Sequence, residues 1–91
     1  MNIQWLFEII EERKNNPTEK SYTSSLFREG LPKIAQKVGE EGTEVVVAAL
    51  AQDDQRLIEE VADLTFHTLV LLSARGLSPT LVAAELEKRH Q

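Results

Sequence analysis

One row of helical positions limits how this chain can fold. Ile34, Val38, Val45 and Ala49 recur at intervals of three and four, the spacing that puts side chains on one face of a helix, and Glu41 stands in the middle of them. An ionised carboxylate on a core-facing row costs on the order of several kcal/mol in lost hydration unless a cation compensates it. Glu41 is not alone. Glu40 and Glu44 are helical neighbours, Glu41 and Glu44 are neighbours, and Glu60 and Asp63 form a second pair downstream. At about 100° per residue the first three carboxylates span an arc of roughly 100° and the second pair roughly 60°. Two helices laid side by side would bring five acids together. Such an all-oxygen set suits Mg²⁺ or Mn²⁺ rather than zinc, because the chain has no cysteine and only two histidines. The competing explanation is a solvated acidic face, and the apolar row around Glu41 is what argues against it.

The rest of the chain supplies those helices. From Asn2 to about Lys14, Ile3, Leu6, Phe7 and Ile10 recur at helical spacing, widened by Trp5 and Ile9, until Asn15-Asn16-Pro17 stops the run. Thr18 to Ser25 is polar and reads as a loop, followed by one helical turn over Leu26–Glu29 that ends at Gly30. Pro32 fits the first position of a long helix reaching about Ala51. Gly39 and Gly42 inside it cost roughly 1 kcal/mol each against alanine, so something is expected to need the backbone close or the side chain absent there. Asp53 or Asp54 caps a third helix to about Arg75. Its rows Leu57-Val61-Leu64-Leu71 and Ile58-Ala62-Thr65-Leu69-Leu72 are apolar, with Glu60, Asp63 and His67 along the margin. Ser78-Pro79 opens a last short helix to about Arg89. The β-branched Val45-Val46-Val47 lies inside a longer helical pattern that outweighs it. The expectation is one all-α domain over residues 1–91, a long antiparallel helical hairpin with short flanking helices. A hairpin apolar on more than one side is better covered by a second copy, so a homodimer with a helical-bundle core is expected. Trp5, Phe7, Phe27 and Phe66 are read as packing residues.

The charge balance points the same way. The net charge is −5, and setting aside the five clustered acids leaves ten acidic against ten basic residues. That excess argues against non-specific binding to nucleic acid or an anionic membrane. No basic n-region with an apolar run marks a signal peptide, and no apolar run approaches a membrane span, so an intracellular protein is the default expectation.

A divalent cation held by a few carboxylates keeps positions open for water and phosphate, which suits cleavage of a nucleotide phosphoanhydride. Glu41 or Glu44 is the candidate general base, and spacing does not separate them. Lys33 and Lys37 stand two turns and one turn before Glu40 on the same side of the helix, placed to grip phosphate oxygens or simply to pair with the acids. His67 follows Asp63 by one turn and is expected to be a satisfied histidine at the core margin.

The pattern of Glu40-Glu41-x-x-Glu44, a helical gap, then Glu60-x-x-Asp63 resembles the all-α nucleotide pyrophosphohydrolases related to MazG and the dimeric dUTPases. The segments Ser21–Phe27, Gly30–Glu41, Ala62–His67, Leu69–Leu72 and Ala74–Leu77 are similar to phosphoribosyl-ATP pyrophosphohydrolases in particular. The resemblance implies Mg²⁺-dependent hydrolysis of phosphoribosyl-ATP to phosphoribosyl-AMP and pyrophosphate, in the cytoplasm, as a step of histidine biosynthesis. It implies that Glu40, Glu41, Glu44, Glu60 and Asp63 hold the metal. Lys33 and Lys37 become phosphate-binding candidates, and Ser21 and Tyr22 candidates for closing over the substrate. Gly42 stands where alanine is more usual, and Phe66 where tyrosine is. The attached cyclohydrolase domain of bifunctional relatives is not among these residues, which leaves the following step to another protein. Two other readings stay open: a MazG-like pyrophosphohydrolase of (deoxy)nucleoside triphosphates, and a non-enzymatic helical dimerisation module.

Overall fold

In a computed structural model describing residues 1–91, local capping chemistry sets where each helix begins. The helices are α1 (Ile3–Asn15), α2 (Tyr22–Glu29), α3 (Leu31–Ala51), α4 (Asp54–Ala74) and α5 (Pro79–Arg89), with no strand. The Asn2 side chain accepts from the Trp5 N–H at 2.9 Å, Ser21 Oγ from the Ser24 N–H at 3.1 Å, and Asp53 from the Arg56 N–H at 2.9 Å. Pro32 and Pro79 occupy first-turn positions of α3 and α5, where no amide donor is missed. Gly30 has φ 92°, a left-handed conformation that reverses the chain between α2 and α3.

Helices α3 and α4 are 21 residues each and are joined only by Gln52 and Asp53, so they pack back as the expected antiparallel hairpin. The core lies at the end away from this turn. Phe7 and Ile10 of α1, Leu26 of α2, Ile34 of α3, and Leu69 and Val70 of α4 bury one another, with Leu6, Phe27, Phe66 and Leu72 packed around them. Ser73 ties α1 to the same end: its hydroxyl donates to Glu11, and its carbonyl accepts from Lys14 Nζ at 2.8 Å.

Four details differ from the sequence expectations. First, Tyr22–Ser25 is helical, not loop. Its hydroxyls are invested in structure: Ser24, fully buried, accepts from the Thr18 N–H at 3.2 Å and donates to the Arg13 carbonyl at 3.1 Å. Second, the buried row of α3 ends at Ala48 rather than Ala49, as a period of 3.6 requires over two turns. Third, the buried face of α4 is rotated toward the expected margin as far as His67, while Leu69 further along stays in the core. Glu60 and His67 are buried, while Ile58 and Val61 are 61% and 43% exposed. Two of the three margin residues pack against the chain while Asp63 stays exposed, and part of the apolar face is uncovered. Fourth, a Cβ added at Gly39 or Gly42 would meet nothing within 4 Å, so no close approach within the chain calls for either glycine.

The consequence is an uncovered apolar surface. Val46 (56%), Leu50 (83%) and Ile58 (61%) are exposed around the hairpin turn, and α5 has no buried residue at all. No single helix is long and apolar enough to cross a membrane.

Candidate metal centre

Glu41 on α3 and Asp63 on α4 stand at matching heights on either side of the hairpin turn, and Glu60 lies one turn nearer to it. Antiparallel packing therefore brings the two acidic motifs face to face. Glu41, Glu60 and Asp63 each offer a carboxylate oxygen, and these oxygens lie within 4.8 Å of one another. Glu41 is 6% exposed and Glu60 5%, whereas Asp63 opens to solvent.

Each buried carboxylate is half satisfied. Lys37 Nζ lies 3.3 Å from Glu41 Oε1, and Arg56 Nη2 lies 2.6 Å from Glu60 Oε1. The other oxygens, Glu41 Oε2 and Glu60 Oε2, are buried with no hydrogen-bond partner. A buried acceptor without a partner is expensive, and two beside a third carboxylate more so. A hard divalent cation among these oxygens would remove both deficits, and the all-oxygen donor set fits Mg²⁺ or Mn²⁺.

The other sequence candidates lie around this group. Glu44 is exposed and lines a cleft of about 280 Å³ with Val47, Gln52, Arg56 and Glu60. Glu40 is not among the converging three: it accepts from Gln36 Nε2 at 2.7 Å and lies 3.4 Å from Lys37 Nζ. The hydrogen bond from Gln36, together with Lys37, holds its carboxyl below the ordinary value. Lys37 thus bridges Glu40 and Glu41. Partial burial pulls its pKa down, but the bonds to Glu41 and Glu40 outweigh that and raise it overall. Lys33 is close enough to act on Glu40 through its charge. Ser21 caps α2, and the Tyr22 hydroxyl lies 2.9 Å from His67 Nε2.

One residue and one contact escaped the sequence reading. Arg56 stands one turn before Glu60, a spacing that could have revealed the pair. Bonds to Glu59, then the charge of Glu60, hold its guanidinium above the ordinary pKa. The Tyr22–His67 contact joins residues 45 apart in the chain, and no periodicity signals it.

The phosphoribosyl-ATP pyrophosphohydrolase family matches residues 4–90. The chain is 54% identical over 84 residues to the phosphoribosyl-ATP pyrophosphatase of Listeria welshimeri, covering 92% of this chain and 81% of that one. It is 52% identical over 88 residues to the enzyme of that name from Lacticaseibacillus casei (97% and 80% covered) and 48% over 89 residues to that of Clostridium botulinum (98% and 81%). The matched span takes in both acidic motifs, and the chain belongs to the phosphoribosyl-ATP pyrophosphohydrolase family.

Proposed function

We propose that this chain hydrolyses phosphoribosyl-ATP to phosphoribosyl-AMP and pyrophosphate in histidine biosynthesis, using Mg²⁺ held between α3 and α4, with Mn²⁺ as a substitute. The relatives' shared name supports the substrate. The observation that carries the metal is the pair of buried, unpartnered oxygens on Glu41 and Glu60, two carboxylates that converge with Asp63. Glu41, Glu60 and Asp63 are the inner holders in this reading, with Glu44 and Glu40 completing the set from the rim. Bound there, the cation supplies charge neutralisation for the phosphates and a more acidic water.

The chain's own residues do the rest. Glu44, exposed on the cleft beside Glu60, is placed to take a proton from the attacking water, and Glu41 is the other candidate base. Lys37, already within reach of Glu40 and Glu41, exchanges part of that contact for phosphate oxygens, and Lys33 assists from the preceding turn. Ser21 and Tyr22, at the start of α2, contact the substrate from the other side. The exposed apolar surface around Val46, Leu50 and Ile58 is covered by a second copy, giving a dimeric bundle. A cytoplasmic enzyme is the corresponding location.

Pyrophosphate release from phosphoribosyl-ATP, compared with a panel of deoxynucleoside triphosphates at saturating Mg²⁺, tests the assignment. The expected result is a kcat/KM for phosphoribosyl-ATP orders of magnitude above any member of the panel. Preference for a deoxynucleotide would transfer the chain to the broader MazG-like activity, and no release from any substrate would refute hydrolysis altogether.

A further inference from the structure

His67 is only 5% exposed, and neither metal binding nor proton transfer makes use of it. Its Nδ1 lies 2.7 Å from the backbone carbonyl of Asp63. A carbonyl oxygen only accepts, so Nδ1 carries a proton. In the neutral ring Nε2 is then a bare acceptor, and the Tyr22 hydroxyl, 2.9 Å away, donates to it. That commits the one proton of the Tyr22 hydroxyl. Its oxygen keeps lone pairs that can still accept.

The ring of Tyr22 is held as firmly as its hydroxyl. It stacks on Phe66 with centroids 6.3 Å apart and meets His67 edge-on at 5.8 Å, while Phe66 and His67 meet edge-on at 5.1 Å. Tyr22 nevertheless remains 52% exposed, so the residue that carries this acceptor reaches the surface. It stands beside the metal group. The Tyr22 hydroxyl is bonded to His67, and the His67 ring hangs from the backbone carbonyl of Asp63.

We propose that Tyr22 is a specificity residue that accepts a hydrogen bond from a ribose hydroxyl of the nucleotide substrate, and that His67 is the positioning residue that aims it. The choice of donor follows from chemistry. Phosphate oxygens only accept and cannot pair with the free lone pairs. Tyr22 is tied through His67 to the Asp63 side of the metal group, where the phosphates lie in the hydrolase reading, so the donor reaching Tyr22 is one carried close to a phosphate. On a nucleotide that is a sugar hydroxyl. The assignment rests on the hydrolase reading above, but the histidine tautomer does not, and the two can fail separately.

Two measurements test it. Nitrogen-15 NMR of the metal-free protein is expected to show His67 protonated at Nδ1 and bare at Nε2; a proton at Nε2 in the neutral ring overturns the arrangement. In steady-state assays Tyr22→Phe and His67→Asn, which keeps a donor for the Asp63 carbonyl, each raise KM for phosphoribosyl-ATP roughly tenfold, the scale of one hydrogen bond, with much smaller changes in kcat. His67→Gln, which restores a polar atom where Nε2 was, recovers part of the loss. The double variant Tyr22→Phe/His67→Asn is no worse than either single one, because both break the same link. Mn²⁺ affinity stays at the wild-type value throughout. Additive losses, or a fall in kcat at constant KM, overturn the proposal. Should His67→Asn fold poorly, Tyr22→Phe alters only an exposed side chain and decides the KM question alone. Absence of Mn²⁺ binding by the unaltered protein would instead refute the metal reading.

Discussion

Arg56 Nη2 lies 2.6 Å from Glu60 Oε1, one helical turn away, at the rim of the three converging carboxylates. Lys37 does the same for Glu41 on the opposite helix. Each buried acid therefore carries its own counterion on one carboxylate oxygen and keeps the other unpartnered. The fold tolerates the acids through these cations, and it remains short of positive charge at the centre.

Arg56 also opposes any cation that binds there, by like-charge repulsion at close range. Replacing it with glutamine is expected to tighten Mn²⁺ binding several-fold while lowering the melting temperature of the metal-free protein. Calorimetric titration and thermal denaturation in a chelator read the two effects separately. Unchanged or weaker Mn²⁺ binding would mean that Arg56 does not compete for the site.

Asp63 takes part in the acidic group without an ion pair like those of its two partners. Asp63→Asn relieves repulsion between carboxylates, and the metal-free protein is expected to gain a few degrees in Tm, as about 1 kcal/mol would give in a domain of this size. Turnover falls by orders of magnitude in the same variant. A destabilised metal-free Asp63→Asn protein would show that the carboxylates do not strain the fold.

Lys37, bonded to Glu41 and Glu40, and Glu40, bonded by Gln36 and Lys37, set a pH window for metal-free stability. Lys37 has its pKa raised from the ordinary 10.5, so its contribution is complete below that value and is lost as pH rises through the raised one. Glu40 has its pKa lowered from 4.5, so its contribution is complete above that value and is lost as pH falls through the lowered one. The stability difference between wild type and Lys37→Met is therefore expected to stay flat between these limits and to shrink outside them. Urea denaturation across pH would show it; a slope through neutrality would contradict the pairing.

Exposed apolar side chains flank the hairpin turn, Leu50 at 83% and Ile58 at 61%. Ile58→Asp would place a charge in the surface assigned to the second copy. Sedimentation equilibrium is expected to show a dimer for the unaltered protein and a shift toward monomer for the variant, since a desolvated unpaired charge opposes association. A monomeric wild type would remove the second copy.

Much of this was legible in the chain because it is local. Capping residues, prolines and helical periodicity marked the helices, and the spacing of the acids anticipated the meeting of Glu41, Glu60 and Asp63. The errors arose where tertiary contacts overrode local pattern. Ser24 looked like a loop residue until its hydroxyl proved to satisfy Thr18 and Arg13 inside the fold. On α4 the apolar rows point to the core, but Glu60 and His67 also take inner positions, Glu60 with Arg56 as its counterion one turn away and His67 bonded to Tyr22 of α2. Ile58 and Val61 turn outward. Arg56 was in view at helical spacing from Glu60, and only the geometry showed that it shares the carboxylate.

Titration of the chain with Mn²⁺, alongside Glu41→Gln, addresses the central claim most directly. Saturable binding is expected in the unaltered protein, with a rise in Tm by ligand linkage, and both are expected to vanish or weaken greatly in the variant. Equal binding by the two proteins, or no binding by either, would contradict the account.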